Sequence, residues 1–94
     1  MSDIVNNKAQ QRYELAVGGH IAATYYKVEG KIITFIHTEV PPELGGKGIG
    51  STLIKGALDQ VRADGLKVTA QCPFVKAYID KHSEYADLLK AQTG

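Results

Sequence analysis

Three features of this chain have residue types and spacings that can do chemistry. They are a glycine-rich stretch with a lysine inside it, a histidine and a glutamate two residues apart, and a lone cysteine ahead of a proline. The stretch PPELGGKGIGSTL, residues 41 to 53, carries Gly45, Gly46, Gly48 and Gly50, with Lys47 among them, and runs on through Ile49 and Ser51 into a helical pattern. Bare backbone amides at a helix N-terminus, with the helix dipole behind them, hold anions. The amides of residues 46 to 51 therefore suit a phosphate, and Lys47 adds a positive charge. A Walker loop needs Gly-Lys followed by Ser or Thr, but Lys47 is followed by Gly48, which argues against a nucleoside triphosphatase. Gly46, Gly48 and Gly50 spell G-x-G-x-G behind two prolines, which is not the dinucleotide fingerprint. The plainer reading is that the glycines only permit tight packing.

His37 and Glu39 sit in a strand-like run, where period-two alternation puts them on the same face as Ile33 and Phe35. A histidine of ordinary pKa, about 6.5, is a competent base at neutral pH. Glu39 acting through water is the second candidate, and a hydrogen-bonded surface histidine is the structural alternative. Cys72 ends a short strand and precedes Pro73, which places it at the N-cap of the next helix. Thiols there are acidified by the dipole, yet a free cysteine is also commonly a small buried apolar residue. The following helix carries Phe74, Lys76, Tyr78 and His82. For these the structural readings are core tyrosine, solvated lysine and capping histidine.

The first half reads as a β-meander. Tyr13, Leu15 and Val17 alternate with Arg12, Glu14 and Ala16, Gly18-Gly19 suits a two-residue hairpin turn, and residues 21 to 28 form a second strand. Glu29-Gly30 offers another turn, and Lys31 to Val40 is a third strand ended by Pro41-Pro42. The period then changes. Ile49, Leu53, Ala57, Leu58 and Val61 predict a helix from about Gly50 to Ala63, with Gly65 as its C-terminal cap. Leu66 to Ala70 is a fourth strand, Pro73 opens a second helix, and Ser83 caps a short third one. The strand–helix–strand order predicts a right-handed crossover joining parallel strands. The fold class is α/β: an antiparallel meander, a β-α-β crossover on a mixed sheet, and C-terminal helices.

The bounds agree with one small domain over 1–94, its core about 12–90. With 94 residues and 44% apolar content the chain is near the lower size limit for an unaided core. Eleven basic against ten acidic residues argue against a general nucleic-acid binder. No apolar run approaches the ~20 residues of a membrane span, and the polar start is not a signal peptide. A single cysteine allows no internal disulfide and fits a reducing, cytoplasmic setting. No metal-ligand spacing stands out.

Strand, then GGKGIG, then an amphipathic helix resembles the acetyl-CoA motif of the GNAT superfamily of N-acetyltransferases, Q/R-x-x-G-x-G/A. More narrowly, IHTEVPPELGGKGIG (36 to 50) with CPFVKAYIDKHSEY (72 to 85) is similar to its short stand-alone YjdJ-type branch, over roughly residues 12 to 90. The resemblance implies acetyl-CoA as the cofactor and an amine as the acceptor. It implies cofactor contacts from Gly45, Gly46, Lys47, Gly48, Ile49, Gly50 and Ser51 around the pyrophosphate. Pantetheine would pair along Thr38 to Val40, near Cys72 and Phe74, with Lys76 and His82 toward the nucleotide end. A backbone N–H of the third strand would polarise the thioester carbonyl. His37 or Glu39 is the implied base, and Tyr78 the acid toward the departing thiolate. Cys72 is either an acyl-accepting nucleophile or a neighbour of the pantetheine sulfur, and direct transfer is the expected route. Two departures stand out. Gly45 replaces the motif's Gln or Arg, and the two helices that follow the first strand in longer relatives are missing. The competing classes are a CoA-binding or sensing module with little turnover, and an interaction domain whose glycine loop is structural.

Overall fold

The computed structural model describes residues 4–45 and 48–89. Five strands form one sheet in sequence order: β1 (Val5–Asn7), β2 (Arg12–Val17), β3 (His20–Glu29), β4 (Ile32–Glu39) and β5 (Lys67–Ala70). β1 to β4 pair antiparallel, and β5 lies parallel to β4, as the strand–helix–strand order requires. α1 (Ile49–Ala63) makes the crossover and α2 (Pro73–Lys81) follows β5. Gly18 and Gly19 both adopt positive φ, +54° and +83°, the backbone of a tight hairpin turn that only glycine takes without strain.

Two readings need correction. β1 was not legible in the polar start of the chain. It is a short edge strand whose Asn7 binds the Glu14 carboxylate and whose Asn6 accepts from the Tyr26 hydroxyl, so polar side chains fix it. The last helical segment, Ser83–Leu88, is 3-10 rather than α, and Ser83 lies inside it with no capping bond. The C-terminal end of α1 is as expected: Gly65 follows the Asp64 cap at φ +73°, and the N–H groups of Gly65 and Leu66 bond back to the Arg62 and Val61 carbonyls at 3.1 Å.

α1, α2 and the 3-10 segment pack together on one face of the sheet. Tyr85 of the 3-10 segment donates to Asp59 of α1 at 2.6 Å, and Arg62 of α1 holds Asp87 at 2.8 and 3.0 Å. Beneath them Tyr13, Ile33, Phe35, Leu53, Ile54, Leu58, Val61, Val68 and Val75 are almost wholly buried and form one core. The other face carries no element among the described residues, and Ile21 and Ile36 stand 48% and 42% exposed on it. The fold is therefore two layers, a sheet under one helical layer.

β4 does not keep its period. Tyr26 pairs with Phe35 but Tyr25 pairs with His37, so Ile36 is an extra residue, a β-bulge. From the bulge onward the two faces exchange. Thr38, opposite the fully buried Thr24, turns toward the helical layer, while His37 stands opposite Tyr25 on the open face. The expectation that His37 and Glu39 share a face with Ile33 and Phe35 is thus wrong, because one inserted residue inverts every position after it.

α1 crosses close to the N-terminal segment at Gly56, where an added Cβ would lie 2.1 Å from Ile4 Cγ1. Gly56→Ala should cost about 1–3 kcal/mol, the usual penalty for overpacking a filled site. Urea unfolding should show this loss, and the same substitution should cost clearly less in an Ile4→Ala background. Equal losses in both backgrounds would contradict the contact.

Candidate active site

The parallel pair β4–β5 runs only from Ile32–Lys67 to Phe35–Ala70. Its last rung is shared, since the Phe35 carbonyl accepts from both Gln71 N (3.0 Å) and Cys72 N (2.9 Å). Pro73 comes next and has no N–H, so the ladder cannot continue, and the chain turns into α2. β4 meanwhile stays paired with β3 as far as Glu39. Beyond Phe35, therefore, β4 is unpaired on its β5 side, and the two strands part.

α1 begins just past the end of β4. Gly48 is its N-cap at φ +70°, and its carbonyl accepts both Thr52 N and Thr52 Oγ1 at 3.0 Å. No side chain caps this end, and the first turn holds no acidic residue. The N–H groups of Ile49, Gly50 and Ser51 thus lack intrahelical partners, with the positive end of the dipole behind them. A groove of about 290 Å³ opens there, lined by Val40, Leu44, Gly45, Gly48, Ile49, Gly50, Ser51 and Phe74. It adjoins a second hollow of about 210 Å³ between Ser51, Phe74, Ala77, Tyr78, Lys81 and His82. Gly46 and Lys47 lie outside the described residues.

The glycines serve different ends. Gly48 needs its positive φ, with open space where a Cβ would be. Gly50 is buried, and a Cβ there would sit 2.5 Å from Phe74 Cζ, so this glycine makes room for an aromatic ring. Gly45 is extended at φ −64° and needs no glycine for its backbone, although a Cβ would come within 3.3 Å of the Pro42 carbonyl oxygen.

Cys72 is the N-cap of α2, as its place before Pro73 implied. Its side chain is only 3% exposed, and Sγ lies 3.3 Å from Thr38 Oγ1, which in turn lies 2.9 Å from Thr24 Oγ1. The bulge makes this cluster, because only the inverted phase points Thr38 inward. Sequence reasoning named Thr38 for its backbone and missed its side chain. The bulge itself left no signal beyond a β-branched run that continues one residue too long.

On the open face a polar row extends from the bulge. His37 Nε2 is 3.1 Å from Glu39 Oε2, and the His37 ring stacks on Tyr25 with centroids 6.1 Å apart. Arg12 donates to the Tyr25 hydroxyl at 2.8 Å and pairs with Glu14. The Arg12 and Asn7 hydrogen bonds hold the Glu14 carboxyl below its ordinary pKa, and the Glu14 and Tyr25 contacts raise that of Arg12. Tyr25 and Arg12 carried no sequence signal, since they are brought to His37 only by strand register.

The remaining candidates cluster elsewhere. Tyr78 is buried and stacks on His82 with centroids 4.1 Å apart. Burial raises its pKa, and the charges nearest it are Lys55, Glu84 and Asp59 of α1 and the 3-10 segment. It walls the second hollow, to whose lining Thr38 and Cys72 do not belong. His82 is the C-cap of α2, its N–H bonded to the Tyr78 and Ile79 carbonyls. Lys76 is exposed and pairs with Asp80 at 3.2 Å.

An uncapped helix N-terminus beside parting parallel strands sets an anion-sized site next to an unpaired strand edge. Residues 12–88 match the family model described as GCN5-related N-acetyl-transferase, and the chain belongs to that family. It superposes on the solution structure of a GCN5-like protein of Staphylococcus aureus with a TM-score of 0.72 and 28% identity, covering 96% of this chain and 89% of that one. It is also similar to Protein NATD1 of chicken (Gallus gallus) and of mouse (Mus musculus), each 37% identical over 62 residues. Those matches cover 65% of this chain and 56% of either relative, a little over half their length. None of these likenesses bears on the narrower YjdJ-type branch.

Two outcomes check this geometry. Cys72 should alkylate slowly with iodoacetamide in the folded protein and fast only in denaturant, contrary to the reactive thiol that its capping position alone implies. Gly50→Ala should lower the melting temperature, and Phe74→Leu should offset part of that loss. Strict additivity of the two would exclude the contact.

Proposed function

We propose that this protein is an N-acetyltransferase that takes its acetyl group from acetyl-CoA and passes it directly to an amine. The observation that carries the reading is the parting of β4 from β5 beside the uncapped N-terminus of α1. The free N–H groups of Ile49, Gly50 and Ser51 fit a pyrophosphate, and the absence of an acidic residue in that turn leaves the field positive. The unpaired edge of β4 from Ile36 to Val40 fits an extended amide chain, which adds to a sheet edge through main-chain hydrogen bonds. Acetyl-CoA supplies the activated acyl group.

This chain's residues do the rest. Edge N–H groups of β4 are fixed by the pairing with β3, so they present a preorganised donor to developing negative charge. His37 stands on the open face and takes the proton from an incoming ammonium, while Glu39 and Tyr25 hold its ring. Cys72 lies under Thr38 rather than in the open, which favours direct transfer over an acyl-cysteine. The bare sheet face gives the amine its approach.

Added acetyl-CoA should raise the melting temperature and shift the amides of residues 48 to 52 and 72 to 78. Release of free CoA should depend on added amines. No thermal or spectral response at millimolar acetyl-CoA would sink the reading. His37→Ala should lower the maximal rate about 10²-fold with little change in acetyl-CoA affinity. A parallel fall in both would make His37 structural.

A further inference from the structure

A third cavity, about 330 Å³ and independent of the two hollows above, lies at the opposite end of the sheet. Asn6, Lys8, Gln11, Tyr13, Tyr26, Val28, Ile33, Asp64 and Leu66 line it. It sits where α1 ends, beside the β1–β2 turn and the start of the β4–β5 pair. The size is within the range of small-molecule sites.

Its lining is sorted by chemistry. The rings of Tyr13 and Tyr26, with Ile33, Leu66 and Val28, make an apolar body, and Val28 stands 44% exposed at it. Tyr13 is the telling residue. It is 1% exposed, its ring packs on Tyr26 and Phe35, and its hydroxyl makes no hydrogen bond among the described residues. No side-chain polar atom in the described residues is both sealed from solvent and unpaired. Tyr13 lines the cavity, and its hydroxyl has no partner among the described residues. The neighbouring Tyr26 hydroxyl, by contrast, is satisfied by Asn6. Buried hydroxyls ordinarily find a partner, so a nearly inaccessible one facing a hollow is matched by something that enters it.

Two charges frame the same hollow. Lys8 lies in the β1–β2 turn and Asp64 at the C-terminal end of α1, and neither forms an ion pair among the described residues. Of the charged residues at this end of the sheet, Lys8 and Asp64 are the two that line the cavity. The negative end of the α1 dipole adds to Asp64. A cation fits beside Asp64, and an anion fits between Lys8 and the Tyr13 O–H.

We propose that this cavity is a binding site for a small zwitterion with an apolar body, of the chemical class of an aromatic or branched α-amino acid. The side chain fills the space between Tyr13, Ile33 and Leu66. The ammonium faces Asp64 and the carboxylate meets Lys8 and the Tyr13 hydroxyl. The site does not depend on the acetyl-CoA groove, which lies at the other end of α1.

The test is a nuclear magnetic resonance titration of the whole chain with L-phenylalanine, beside phenylacetate and phenethylamine. L-Phenylalanine should give saturable shifts at Val28, Ile33 and Leu66 with a millimolar Kd. Each control lacks one charge and should bind about tenfold more weakly, the value of one charged hydrogen bond. Tyr13→Phe keeps the ring and removes only the hydroxyl. Lys8→Met, at an exposed turn, leaves the core untouched. Each should weaken L-phenylalanine about tenfold, and Lys8→Met decides the matter if Tyr13→Phe perturbs the fold. No saturable shift at these residues, shifts confined to the α1 N-terminus, or controls and variants that bind like the parent would each overturn the proposal.

Discussion

The shared hydrogen bond at Phe35 governs this molecule. Up to that carbonyl β4 is paired on both sides, and beyond it on one side only. One acceptor takes two amides, Gln71 and Cys72, and so holds the end of β5 while Pro73 withholds the next donor. The chain must then leave the sheet, and it leaves as a helix whose N-cap is Cys72. The opening between the strands is consequently built by what the backbone is unable to do. Beyond the end of β5, β4 is left with an unpaired edge.

The Ile36 bulge works with that opening. It rotates β4 by one position at the point where β5 departs, so the side chains beside the gap change faces. Thr38 goes inward to Thr24 and Cys72, and His37 goes outward to Tyr25 and Glu39. The outward row leaves a titratable side chain on the bare face, next to the gap but across the sheet from the phosphate-sized groove. The inward cluster and the outward row are in this way separated by the thickness of one strand.

α1 ties the two ends together. Its N-terminus is stripped of caps and acids, and its C-terminus carries Asp64 beside the third cavity. Between them the helix is buried along one stripe and pinned through Asp59 and Arg62 to the 3-10 segment. Gly50 and Gly56 bring it close to Phe74 and Ile4, so its position along the sheet is fixed by contact with side chains at both points.

Local pattern determined the elements. Alternation in residues 12 to 17, the paired glycines at 18 and 19, and the helical stripe of α1 each express a preference of the backbone within a few residues. The same holds for the Cys72–Pro73 cap and for the glycine turn that marks the anion-sized site. The polar edge strand β1 escaped notice because its side chains bind partners from β2 and β3 instead of burying apolar surface. Only the tertiary structure decided which face His37 takes, that Gly50 yields to a ring, that Tyr78 walls the hollow beside the groove, and that Thr38 touches Cys72. Each of these depends on register between segments distant in sequence, and a single extra residue in β4 reverses it. Periodicity records the phase of a strand, and it carries no mark of where a neighbouring strand will force that phase to slip.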